Sequence, residues 1–240
     1  MANLKPINEL YEEVTYDLSK PFAEMARNGF IKKVYGILCA QLFLTVLVVM
    51  AALQFQGFGA FILNNYWLTV VCSIATLVII VALALSENLA KTVPWNYALL
   101  TTFTLCESYV VAGLCMFYEP TSVAMAALMT LTVTLALTAY ACMTKEDFTI
   151  QMGTAINLCV VLMLLSFLSM FIHDRTVELV ISAFGVFCYG MFIIIDTQLI
   201  ADGKRHSVST ENYIMGAIML YVDIIGMFIH LLRLMGQRKN

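Results

Sequence analysis

Polar positions along this chain cluster at intervals, and between the clusters run seven apolar stretches of roughly 20 residues each. They lie near Val34–Phe55, Trp67–Ser86, Tyr97–Phe117, Thr121–Met143, Met152–Ile172, Val177–Ile200 and Tyr213–Met235. A helix of that length spans a hydrocarbon core of about 30 Å. Backbone groups in lipid must find partners within their own segment, so the pattern predicts helices. The short connections favour antiparallel neighbours in a bundle. The predicted fold is all-α integral membrane, with a polar N-terminal tail at 1–33, a multi-spanning domain at 34–235 and a short basic tail at 236–240. No apolar run suited to a cleavable signal precedes Val34, so the first segment is expected to act as an uncleaved anchor.

Lysine and arginine placement gives an orientation. Arg27, Lys32 and Lys33 precede the first segment, and Lys91, Lys145, Lys204 and Arg205 fall in later loops on the same side. The opposite side holds Arg175, so the N-terminus is expected to be cytosolic. The last segment complicates this assignment. If it spans, Arg233, Arg238 and Lys239 end on the poorly charged side; if it re-enters and returns, the rule holds throughout. Seven spans, or six spans with a re-entrant segment, are both compatible with the pattern.

Composition agrees with a membrane domain. Hydrophobic residues make up 61% of the 240 and charged residues 12%, about half the share usual in soluble domains. Mean hydropathy is +0.87 and net charge is −3, which gives no footing for nucleic acid. The seven cysteines are scattered without a CxxC pair, so neither a disulfide framework nor a metal centre is expected. No cofactor is expected either. Small residues such as Ala124, Ala126, Ala127, Ser182, Gly185 and Gly190 read as sites of close helix approach, although 185 and 190 do not make a GxxxG motif.

Against that background three acidic residues stand out inside the apolar stretches: Glu107, Asp196 and Asp223. Insertion scales put the cost of each such charge near the bilayer centre at about 2.5–3.5 kcal/mol. Glu107 sits mid-segment, with Thr104 three residues earlier placed to share its face. Asp196 lies about one turn before its segment ends, and Asp223 about ten residues into the next. Their depths differ by several ångströms, so spacing permits a pair without requiring it. Two carboxyls meeting in a low dielectric titrate as a unit, which makes a proton switch. Carboxylate oxygens are also the ligands Ca²⁺ prefers, transiently for a permeant ion. His230, seven residues beyond Asp223, shares its face and reads as a core histidine or a proton relay. Glu211 reads as a helix-start carboxylate or a pore-mouth charge.

Paired aspartates on consecutive segments also occur in intramembrane aspartyl proteases. Here the second aspartate follows Leu220-Tyr221-Val222 rather than Gly-x-Gly, and no Pro-Ala-Leu run comes after it. No catalytic residue is therefore assigned and an enzyme is not expected.

The run Ile195-Asp196-Thr197-Gln198-Leu199, followed by Tyr213-Ile214, Leu220-Tyr221-Val222-Asp223-Ile224-Ile225 and His230-Leu231-Leu232-Arg233-Leu234, resembles the Bax inhibitor-1 family. Phe30-Ile31-Lys32-Lys33-Val34-Tyr35-Gly36-Ile37-Leu38 and Lys145-Glu146-Asp147-Phe148 resemble its lifeguard and Golgi anti-apoptotic branches. The resemblance implies six helices around a central last one, a pH-sensitive Ca²⁺ leak from Golgi or endoplasmic-reticulum stores, and inhibition of apoptosis. It maps the family's aspartate dyad onto Asp196 and Asp223. It also maps ion-pathway acids onto Glu107, Glu211 and Asp223. The family often latches its first aspartate with an arginine near the end of the second segment. That position is Ala90 here, beside Lys91, a point charge without the guanidinium fork, so gating is expected to rest on the two aspartates alone or on Lys91 as a latch of altered strength. Implied partners are lipid, Ca²⁺ and apoptosis regulators or other Ca²⁺ channels, in an oligomer or alone. A non-conducting scaffold for such partners is the competing expectation.

Overall fold

The apolar stretches become seven helices long and apolar enough to cross a membrane. The computed structural model describes residues 7–169, 171–172, 174–201 and 211–239. Lys204, Arg205 and His206, used above for orientation, lie outside the described residues. The elements are α1 (Ile7–Gln54), α2 (Gln56–Asn64), α3 (Tyr66–Leu85), α4 (Glu87–Lys91), α5 (Trp95–Cys115), α6 (Pro120–Met143), a 3₁₀ turn at Phe148–Gln151, α7 (Met152–Ser169), α8 (Arg175–Ala201) and α9 (Tyr213–Met235). The crossing helices are α1 from Glu24 onward, α3, α5, α6, α7 (with the turn before it), α8 and α9. α1 continues far back into the polar stretch that the sequence suggested as a tail.

Local chemistry sets several of the ends. α6 starts with Pro120 in its first turn, where the missing N–H is no loss. Asp174 caps α8, accepting from the N–H groups of Thr176 (2.6 Å) and Val177 (3.3 Å). Those backbone donors hold its carboxyl below the usual carboxylate range. The cap's contribution is thus present above the ordinary carboxylate pKa and is lost as pH falls through the lowered one.

α9 is the centre of the bundle. Of its most apolar window 72% is buried, against 11–44% for the other spans. It packs on α8, α1, α6 and α5, so its flanks meet helices on every side. Lipid-facing helices keep large apolar side chains outward, among them Leu77, Leu128 and Leu164.

The re-entrant alternative does not survive. α9 is continuous over 23 residues, about 34 Å at 1.5 Å per residue. At one end Gly216 lies against Val34 and Ile200, beside the membrane entry of α1 and the end of α8. At the other, the tail pairs with the α5–α6 connection: the Glu119 N–H donates to Gln237 O (2.9 Å) and the Lys239 N–H to Phe117 O (3.0 Å). Gln237 N–H adds a bond to Ser122 Oγ (3.0 Å). The last segment therefore spans, and carries basic residues to the face opposite α1's entry. Glu178 offsets them locally, bonding both Arg238 and Arg175.

α8 and α9 are held by reciprocal aromatic-on-glycine contacts. The His230 imidazole occupies the space over Gly185, and the Tyr189 ring the space over Gly226. The two rings lie 5.6 Å apart between centroids. Each glycine is needed because a Cβ there would collide with the opposing ring. This is close helix approach without a GxxxG spacing.

Candidate functional site: carboxyls and hydroxyls inside the bundle

Asp196 and Asp223 meet. Their carboxyl groups are hydrogen-bond neighbours across the α8–α9 seam, at 5% and 6% exposure. The depth mismatch expected from sequence is present and is bridged by side-chain direction. Taking Gly216 and Ile200 as level, Asp196 lies four residues down α8 and Asp223 seven into α9, a difference of about 4.5 Å. Side chains on a helix lean toward its N-terminus. In antiparallel helices that lean sends Asp196 inward and Asp223 back toward it. Asp223 Oδ2 has no N–H or O–H partner among the described residues. The donor it lacks is one that a carboxylic proton on either group would supply.

Glu107 is elsewhere. Its half-buried carboxyl lies beside the Thr76 hydroxyl of α3, which donates to Ser73 O (2.9 Å), and not beside Thr104 of its own helix. Thr104 Oγ1 instead donates to Leu100 O (2.8 Å) and accepts from Gln41 Nε2 (3.0 Å). The i−3 spacing placed a hydroxyl on the right face, but the neighbouring helix lies nearer.

Lys91 and Glu211 form an ion pair at the end of the bundle where α9 begins, Nζ–Oε2 3.3 Å, with Glu211 largely exposed. Lys91 is thereby engaged with the expected mouth residue. Asn212, not Glu211, holds the N-cap position of α9. Beside them Lys33 sits over the Tyr213 ring, and Arg27 donates to Leu199 O (2.6 Å). His230 is 7% exposed, two turns from Asp223, with Nδ1 lacking a hydrogen-bond partner among the described residues. Among those residues no group of three or more His, Cys, Asp or Glu is placed to hold a metal.

Sequence reasoning missed a second polar cluster. Thr45 of α1, Ser108 of α5 and Tyr221 of α9 bring three hydroxyls together: Thr45 Oγ1 lies 3.0 Å from Ser108 Oγ and 2.8 Å from Tyr221 Oη. It also missed Gln198, whose Nε2 donates to Glu146 O (2.9 Å) and whose Oε1 accepts from the Phe148 N–H (2.8 Å). That side chain ties the α6–α7 connection to the turn of α8 that carries Asp196. Its signal was available, since Gln198 lies two residues past the aspartate in an apolar run.

The family model described as inhibitor of apoptosis-promoting Bax1 matches residues 27–240, which include every residue of these clusters. The chain belongs to the Bax inhibitor-1 family. Among its relatives in that family, protein lifeguard 4 of Mus musculus is 39% identical over 207 residues, covering 86% of this chain and 84% of that protein. The Golgi anti-apoptotic protein of Vaccinia virus (strain Lister) is 35% identical over 236 residues, covering 98% of this chain and 97% of the relative. Protein lifeguard 3 of Mus musculus is 33% identical over 216 residues, covering 88% and 70%. The Bax inhibitor-1 family match thus extends over the crossing helices, and leaves the start of α1 outside it.

Proposed function

We propose that this chain is a pH-sensitive Ca²⁺ leak of Golgi or endoplasmic-reticulum membranes that lowers store Ca²⁺ and inhibits apoptosis, with its N-terminus cytosolic. The observation that carries it is the facing Asp196–Asp223 pair inside the bundle. With one proton between them, the carboxyls bond and draw α8 to α9; without it, two negative charges face each other in a low dielectric. The proton thus sets the separation of the central helix from its main neighbour. Glu107 and Glu211 supply further oxygen ligands of the kind Ca²⁺ takes, along the span and at the mouth. The names of the vaccinia and lifeguard relatives support the anti-apoptotic and Golgi parts of the reading. The protein acts as a conduit rather than an enzyme, and takes no cofactor.

Purified protein in Ca²⁺-loaded liposomes tests this. The expected result is efflux above that of protein-free liposomes, with a rate that changes between about pH 6 and pH 8. Efflux no greater than the protein-free rate would overturn the leak. Protection from cell death without efflux would leave the scaffold role in its place.

A further inference from the structure

We propose that Gln41, Thr45, Ser108 and Tyr221 form a neutral-oxygen station at mid-membrane for a permeating hard cation, with Glu107 as its counter-charge. The inference deepens the leak reading and rests on it. The station lies between α1, α5 and α9, on a different face of α9 from the aspartate pair, since Tyr221 and Asp223 are two residues apart. Gln41, Thr45, Ser108 and Tyr221 are each at most 4% exposed. Ser108 and Tyr221 fall near the middle of their helices, so the cluster lies near the bilayer centre.

The first observation is an orphan acceptor. Gln41 Oε1 is buried and has no hydrogen-bond donor among the described residues. Thr104 Oγ1 spends its proton on Leu100 O, so it can only accept from Gln41, which places Nε2 toward it and leaves Oε1 over. Such a group costs stability unless a donor or a cation meets it.

The second observation is a shortage of protons. Thr104 reaches Leu100 O, Ser108 reaches Thr104 O (2.6 Å), and Thr45 reaches Gln41 O (2.9 Å), Ser108 and Tyr221. Those are five oxygen–oxygen contacts served by four hydroxyl protons. At least one pair of oxygens faces lone pair to lone pair, so the cluster carries an excess of acceptors. An uncharged site with surplus oxygens in hydrocarbon is suited to a cation stripped of part of its water. Glu107 precedes Ser108 of the station in the chain, and its carboxyl lies near the Tyr221 phenol. When ionised it would supply the negative field that neutral oxygens lack.

The competing role for the same hydroxyls is helix adhesion, for which interhelical bonds are well suited. Efflux of Ca²⁺ from liposomes holding the full chain separates the two. Gln41→Leu, Thr45→Val and Tyr221→Phe are each expected to slow efflux about fivefold to tenfold at fixed pH, the scale of one lost ligand contact. Thr45→Ser, which keeps the hydroxyl, is expected to stay within about twofold of the parent. The ratio of rates at pH 6 and pH 8 should persist in all four, because the aspartate pair is untouched. Variants that keep the parental elution profile and helical circular dichroism, yet conduct at the parental rate, would overturn the station while the leak stood. Should Gln41→Leu or Tyr221→Phe fail that folding check, Thr45→Val against Thr45→Ser decides, and equal rates in those two overturn it; should Thr45→Val fail it, Gln41→Leu and Tyr221→Phe decide, and parental rates in both overturn it. A parent without efflux would remove the leak, and the station with it.

Discussion

In the Asp196→Asn/Asp223→Asn variant, Ca²⁺ efflux is expected to lose its dependence on pH, the ratio of rates at pH 6 and pH 8 collapsing to about one. Amides keep the shape of the carboxyls and can bond each other across the seam, so α8 and α9 remain joined. What disappears is the exchangeable proton. Asp223→Asn alone is expected to do nearly the same, because an amide donor replaces the shared proton and leaves no facing charge. The comparison is informative because, among the described residues, the other titratable groups within electrostatic reach of Asp223 are Cys159 and Tyr189, and neither type ordinarily titrates between pH 6 and 8. A pH ratio that survived the double substitution would place the sensor elsewhere, and His230 would be the next group to replace.

Gly226→Ala is expected to destabilise the bundle by about 1–3 kcal/mol, the usual scale of overpacking. The added methyl would come well inside van der Waals distance of the Tyr189 ring carbons. That ring has little room to retreat, since His230 lies 5.6 Å away between centroids and itself fills the space over Gly185. In an unconstrained helix the same substitution gains about 1 kcal/mol of propensity, so a net loss reports the collision rather than the backbone. Thermal unfolding in detergent measures it. Adding Tyr189→Leu to Gly226→Ala should recover most of the loss, because the smaller side chain makes way for the methyl. A single variant as stable as its parent would mean that the two helices separate more readily than their contact suggests.

The spans were legible because length and apolar composition determine them, whatever each helix touches. Asp196, Asp223 and Glu107 were legible for a related reason: a carboxyl in an apolar run is costly wherever the helix packs. Partners were harder to read. Glu107 was matched to Thr104 within its own helix, whereas the structure gives it Thr76 from α3. The hydroxyl cluster was missed because threonine and serine cost little in a membrane helix. Thr104 and Ser108 each donate to a carbonyl four residues back, so neither advertises a need for company. Gln41 could have drawn notice, as an amide cannot be satisfied by one carbonyl on its own helix. The Tyr189–Gly226 and His230–Gly185 contacts depend on the register of two helices, which no single-segment pattern contains. The stretch before Val34 reads as a tail because it is polar, of mixed charge and without an apolar run, yet α1 extends back through it to Ile7.

Translation runs from the first helix to the last, and here the last is the one around which the others are arranged. Until α9 leaves the ribosome, Asp196 has no counterpart and Thr45 and Ser108 have no phenol to meet. The seam between α8 and α9, and the aspartate pair within it, can therefore form only once α9 has been made. A chain stopped short of Tyr213 would keep six of its crossings and none of the seam on which the aspartate pair depends.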